Sequence, residues 1–216
     1  MSVAIIRYLP VLFFAILFIV MLFFENQYIS KYQLSPIEAL SESAHPRADE
    51  LYEFVVSSPE NKIWYLKNFD KINLIKDGIQ IQGLTFCLDN EQAQSNGQGI
   101  WNHDGHTFFS FNAAQKYAAE QGKRLLTNEE WQDLVEFLPE EQELDFLTKV
   151  LKVPLVGFVN ANTSSYNGSD NYAYLWTSTG LDAKSAYYRT LICDNTTVYS
   201  ATLDKSNGLS VRCVKS

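Results

Sequence analysis

Three groups of side chains in this sequence have types and spacings that can do chemistry. The first is the thiols Cys87, Cys193 and Cys213. In an oxidising compartment, where disulfides persist, three cysteines allow one bridge and one odd thiol, in three pairings. The second is His103 and His106 in "WNHDGHTFF", with Asp104 between them. An H-x-x-H pair beside a carboxylate can grip a metal, but a zinc site wants three or four defined ligands. With no third ligand at suitable spacing, the pair reads as solvated, and no metal or cofactor is expected. The third group is the tyrosines in and after "NANTSSYNGSDNYAY", residues 160–174. Tyr mixed with Ser, Asn and Gly combines rigid aromatic area with adaptable hydrogen bonding, as adaptable recognition surfaces do. Tyr166, Asn167, Tyr172, Tyr174 and Tyr188 are the candidate ligand-binding residues, with Tyr187 and Tyr199 as neighbours. The alternative for any of these tyrosines is a half-buried place in a strand. Asn162, Asn167 and Asn195 stand in N-x-S/T sequons, which matter only in a host that glycosylates exported Asn. Asp170, Asp182, Asp194 and Asp204 fall in turn-like stretches and suggest no acid–base pair.

Elements able to position these groups follow from composition and periodicity. The chain has 216 residues, 46% hydrophobic and 14% aromatic, enough for a packed core. Its formal charge is −8, and no run of Lys or Arg interrupts the acidity, so nucleic acid is not expected as a partner.

Residues 8–24, "YLPVLFFAILFIVMLFF", carry no charge. The run is close to the shortest that spans ~30 Å of hydrocarbon as a helix. Arg7 precedes it and Glu25 follows, so the positive-inside rule places residues 1–7 in the cytoplasm and the rest outside, periplasmic or at the cell surface. No small-residue cleavage pattern follows, which favours an uncleaved anchor over a signal peptide. Pro10 sits in the first turn, where a helix tolerates it. The membrane is therefore an expected partner, through residues 8–24.

Residues 25–78 read as a stalk or a packing region. Within them "ADELYEFVV" puts Leu51, Phe54 and Val55 on one helical face, and "NKIWYLKNFDKINLIKDG" reads as a strand or irregular segment entering a turn at Asp77-Gly78. From Ile79 the pattern tightens. "IQIQGLTFCL" alternates as a half-buried strand does. "SFNAAQKYAAEQGKR" predicts a helix capped by Ser110 and stopped by Gly122, with Ala113, Ala114, Tyr117 and Ala118 on one face. Thr127 and Glu130 form a T-x-x-E capping box, with Leu126 and Trp131 at the staple positions, so a second helix starts at Asn128 and turns Trp131, Leu134, Val135 and Leu138 inward. "EEQELDFLTKVL" predicts a third, ended by Pro154. Residues 160–174 read as a long loop. "AYYRTLIC", "TVYSATL" and "GLSVRCV" read as three strands of an antiparallel meander, joined by turn chemistry. Helices in the middle and strands on either side make the fold class α+β.

In order, "GKRLLTNEEWQDL", "YLWTSTG", "AYYRTLICDNTTVY" and "KSNGLSVRCVK" resemble the C-type-lectin-like fold of the sulfatase-modifying-factor (formylglycine-generating enzyme) superfamily. The similarity is to its Fibrobacter succinogenes major paralogous domain and to the C-terminal domain of a Legionella collagen-like adhesin, and it covers residues 79–216. The resemblance implies two to three helices and a small antiparallel sheet, with "LSVRCV" returning to pair near "IQIQGLTF". Leu209, Val211 and Cys213 would then face one side and Ser210, Arg212 and Val214 the other, Arg212 serving as a structural, carbonyl-binding or ion-paired residue. It also favours a Cys193–Cys213 disulfide, since both cysteines belong to the shared motifs, with Cys87–Cys213 as the alternative. In a simple meander the strands of Cys193 and Cys213 would lie about 9–10 Å apart, beyond the ~7 Å reach of a bridge, so the first pairing needs another strand order.

Formylglycine-generating enzymes use two nearby cysteines that bind copper. The corresponding stretch here has Cys193 followed by Asp194 and Asn195, with no second thiol nearby. "WNHD" is similar to the calcium-site "WND" of true C-type lectins, but stands before the first helix, the wrong place for that site. The expectation is a membrane-anchored, exported, non-catalytic protein that recognises polysaccharide, peptide or a partner protein at the cell envelope. The alternative is a structural accessory subunit of an envelope complex, and behind it a formylglycine-generating-type oxidase.

Overall fold

The computed structural model describes residues 35–95 and 99–215. The expected anchor, residues 8–24, lies outside the described residues. Among the described residues no helix is long and apolar enough to cross a membrane. The chain divides into two compact units, Met1–Ser43 and Ala44–Ser216. The described part of the first is a short helix, α1 (Ser35–Ser41).

The second unit is α+β. Its helices α2 (Ala48–Val56) and α3 (Pro59–Asn68) form where the sequence has an apolar stripe and a cap. Leu51, Phe54 and Val55 of α2 are buried, as their spacing predicts. In α3 the Ser58 side chain accepts a hydrogen bond from Asn61 N, and Pro59 takes the first helical position. Residues 61–68, expected as strand or irregular, are therefore helical, because the Ser-Pro start outweighs the aromatic content. Helices α2 and α3 pack onto the later part of the same unit. Phe54 and Trp64 meet Phe146 edge-on, with centroids 5.2 and 5.7 Å away, and Trp64 Nε1 donates to the Phe137 carbonyl at 2.7 Å.

Strands β1 (Ile72–Ile75), β2 (Gly78–Ile81) and β3 (Leu84–Cys87) run as an antiparallel meander, so "IQIQGLTFCL" is two strands with a turn between them. A hairpin of β4 (Ile100–His103) and β5 (His106–Phe109) leads into α4 (Phe111–Glu120). Ser110 holds the N-cap position, though its side chain makes no capping bond. Gly122, at φ +66°, supplies the left-handed stop. Then come β6 (Lys123–Leu125) and α5 (Asn128–Phe137). A single α-turn, α6 (Glu143–Asp145), runs into a π-turn at Phe146–Val150 that buries Phe146, Leu147 and Val150.

Strands β7 (Val156–Asn160), β8 (Ser165–Ser169), β9 (Tyr172–Gly180), β10 (Ser185–Ile192) and β11 (Asn195–Asp204) make a second five-stranded sheet, ordered β11-β10-β9-β7-β8. The expected loop 160–174 is thus a hairpin and the start of a strand. Its Asn, Ser and Gly hid the alternation that marks a strand, because β8 is a polar edge.

β10 and β11 pair antiparallel as the meander predicts, but "GLSVRCV" does not join them. It crosses between layers. Gly208 exchanges hydrogen bonds with Val159, Leu209 with Phe109, and Ser210 pairs with β9 through Tyr174 and Trp176. The chain then enters the first sheet as β12 (Cys213–Lys215), giving the order β1-β2-β3-β12-β6. Pairing of Val214 with Phe86 places it beside "LTFC", as the resemblance implies. Leu209, Val211 and Cys213 share one apolar cluster with Phe109, Phe111, Leu125 and Trp176. Arg212 is buried and donates to the carbonyls of Leu88 and Leu151, the carbonyl-binding role expected of it.

The favoured Cys193–Cys213 bridge is not formed. Both cysteines are free, Cys193 exposed at the β10–β11 turn and Cys213 buried in the other sheet. The crossover of residues 208–212 takes Cys213 away from the meander on which that pairing depended.

The capping box closes as the sequence predicts. Thr127 Oγ1 accepts from Glu130 N at 3.0 Å, and the Glu130 carboxylate accepts from Thr127 N at 2.9 Å. The same carboxylate takes both guanidinium arms of Arg124, each at 2.7 Å. That pair holds the Glu130 carboxyl below its ordinary range. Replacing Thr127 by Ala is expected to cost about 1 kcal/mol. A carboxyl with a depressed folded pKa adds stability above its unfolded value, about 4.3, and that stability is lost as pH falls through the folded value. The stability difference between wild type and Glu130→Gln, read by urea unfolding, should therefore be full at pH 6 and shrink on acidification below about 4. A difference independent of pH would reject this.

Candidate functional site: an aromatic sheet face

Alternation along β9 and β10 sorts the tyrosines. Tyr172 opposes Ile192, Tyr174 opposes Thr190 and Trp176 opposes Tyr188, so all six lie on one face of the second sheet. On β11, Tyr199 opposes Thr190 and joins that face, 41% exposed. On β7, Phe158 comes beside Tyr174 with centroids 5.1 Å apart, and on β8 Asn167 opposes Phe158. The opposite face, with Leu175, Arg189 and Leu191, is buried, and Arg189 there donates to the Asn128 carbonyl and to Gln132 Oε1 of α5.

The aromatic face is graded. At one end Trp176 is fully buried, edge-on to Phe111 of α4 at 5.6 Å, and Tyr188 meets it at 6.5 Å. Outward, Tyr174 touches Tyr188 at 5.7 Å and Tyr172 at 5.9 Å, the last pair inclined by only 27°. Phe158, Tyr172, Tyr174 and Tyr188 are half-buried and Asn167 is exposed. Burial pushes the phenols of Tyr174 and Tyr188 above their ordinary value, so both remain neutral hydrogen-bond donors at physiological pH. The Thr190 hydroxyl, between Tyr174 and Tyr199 on the same face, is buried and has no hydrogen-bond partner among the described residues. The face is a platform; an open cleft of 420 Å³ lies elsewhere, lined by Ile100, Lys116 and Tyr117 among others.

Gly157 makes the sharp β7–β8 approach possible. Its φ is +67°, and a Cβ there would sit 2.0 Å from the Asn167 carbonyl oxygen. The bend sets Asn167 across from Phe158.

Of the five candidate residues, Tyr172, Tyr174, Tyr188 and Asn167 come together. Tyr166 does not. It opposes Val159, one register step from Phe158, so it lies on the other side of the hairpin. There its ring meets His103 at 4.1 Å and Phe108 at 5.4 Å, and its hydroxyl donates to the Val156 carbonyl. His103 and His106 oppose each other at the β4–β5 turn, with Asp104 Oδ2 at 3.3 Å from His103 Nε2. No group of three metal-ligating residues is present among the described residues. Phe158 and Thr190 were missed as members of the face. The β-branched and aromatic run "VGFVN" was the available signal of a strand at Phe158; for Thr190 only the β9–β10 register identifies it. Compared with known proteins, the chain matches no family model, no curated protein and no solved structure.

Proposed function

We propose that this chain is a non-catalytic binding protein of the cell envelope, anchored by residues 8–24, whose ligand lies on the aromatic face of the second sheet. The observation that carries the reading is the run Phe158, Tyr172, Tyr174 and Tyr188, partly open to solvent and bordered by Asn167. Half-exposed rings backed by a rigid sheet offer flat apolar area at little entropic cost, while phenols and an amide at the border supply hydrogen bonds. A sugar ring, apolar on its faces and ringed by hydroxyls, fits that combination, so polysaccharide is the ligand class put first. The likeness of "GKRLLTNEEW" and "GLSVRCV" to the C-type-lectin-like superfamily agrees with a recognition role.

The test is a screen of the full-length chain in detergent against an array of bacterial and host polysaccharides. Saturable binding that falls at least tenfold in Tyr172→Ala, with the melting temperature within a few degrees of wild type, is the expected result. A blank array, or binding indifferent to Tyr172, would reject the site. The alternative, an accessory subunit, predicts instead a stoichiometric protein partner that co-purifies with the full-length chain and is unaffected by Tyr172→Ala.

A further inference from the structure

Cys87 closes β3, and Cys213 opens β12. The two strands pair antiparallel with Val214 opposite Phe86, so one step along the ladder sets Cys213 opposite Cys87. Directly opposed residues of an antiparallel pair have Cα atoms about 4.5–5.5 Å apart, inside the ~4.4–6.8 Å range of natural disulfides. Opposed residues also project to the same face, and both thiols belong to one buried cluster with Phe109 and Leu125. Cys193 is excluded from the cluster, exposed at the β10–β11 turn.

We propose that Cys87 and Cys213 are a redox pair that closes to an intramolecular disulfide by exchange with a disulfide oxidant such as glutathione disulfide, leaving Cys193 as the free thiol. In the first step the Cys87 thiolate attacks one sulfur of glutathione disulfide and one glutathione leaves. In the second the Cys213 thiolate attacks the mixed disulfide and the other glutathione leaves. The two protein thiols give up two electrons and two protons, and one glutathione disulfide becomes two glutathiones. Cys87 is the entry point, at 8% exposed against 0% for Cys213.

The surroundings set the character of the pair. Burial pushes both thiols above their ordinary value, and the Glu91 carboxylate, held by Lys123 Nζ at 2.8 and 3.0 Å, adds to the shift. The folded, reduced protein thus presents little thiolate, and exchange runs through opening of the β3–β12 junction. Once made, the bridge ties an early strand to the last one and encloses most of the described chain. In the chain-entropy picture long loops are stabilised most.

The experiment uses the full-length chain in detergent, incubated to completion with glutathione disulfide, then denatured in maleimide and mapped by peptide mass. A Cys87–Cys213 linked peptide with maleimide on Cys193 is expected, together with a melting temperature about 10 °C above the dithiothreitol-treated protein. Cys193→Ser should keep both signals, and Cys87→Ser should lose both. Three maleimide-labelled cysteines, a glutathione adduct that never resolves on Cys87, or a linked peptide containing Cys193 would overturn the proposal.

Discussion

Replacing Arg212 by Ala is expected to destabilise the protein by about 3–5 kcal/mol, a large share of the ~5–15 kcal/mol typical of a domain. Arg212 is 1% exposed and forms no salt bridge among the described residues. It donates to the Leu151 carbonyl, to the Leu88 carbonyl at 3.2 Å and to Asn90 Oδ1 at 3.4 Å. Burial lowers its pKa to about 10, so it stays protonated at neutral pH. Its fork joins three segments distant in sequence: the end of β3, the π-turn and the approach to β12. Removing it strands the buried Leu151 carbonyl, at a cost of about 1–3 kcal/mol, and leaves a cavity, whereas the Leu88 carbonyl keeps Arg47 Nη2 at 2.7 Å. Arg212→Met fills the volume without serving the acceptors, so it should recover part of the loss, with Arg212→Lys also short of wild type because an ammonium lacks the planar fork. Equilibrium unfolding of the three variants measures this. A loss under 1 kcal/mol in Arg212→Ala would mean that the Leu151 carbonyl finds water and that Arg212 does not hold the three segments together.

Trp176→Ala is the other large effect, also about 3–5 kcal/mol. The indole is fully buried between the second sheet and α4, and its Nε1 donates to the Phe109 carbonyl at 2.7 Å. That carbonyl also accepts from Leu209 N at 3.0 Å, so it is not orphaned when the indole goes. Most of the loss is therefore the cavity, and Trp176→Phe, which retains an aromatic ring, should cost only about 1–2 kcal/mol. Tyr188 leans on Trp176, so the Ala variant should also weaken any ligand held on the aromatic face. Equal losses in the Phe and Ala variants would place the weight on the hydrogen bond instead of the packing.

Local patterns were legible wherever one element satisfies its own demands. The Thr127–Glu130 box, the Leu51, Phe54 and Val55 stripe of α2, and the Gly122 stop after α4 all follow from neighbours three or four residues apart. The α+β class follows from the same signals. Residues 61–68 misled because aromatic content suits a strand as well as a helix, and only the Ser58 cap decides between them. Residues 160–174 misled because Ser165, Asn167 and Gly168 of β8 are all exposed, so both of its faces carry solvated residues and no period of two shows.

Pairing between distant strands was decided by the tertiary structure. The sequence by itself determined that "LSVRCV" is extended, that its alternate residues face opposite sides, and that Arg212 needs acceptors. It did not determine that residues 208–211 would bridge β5, β7 and β9 before β12 reached β3. Which thiol meets Cys213, and which tyrosines share a face, depend on that register, and a slip of one residue would send each side chain to the other side. The physical reason is that periodicity records which face of an element is buried. The neighbour that buries it is chosen by the packing of the whole chain.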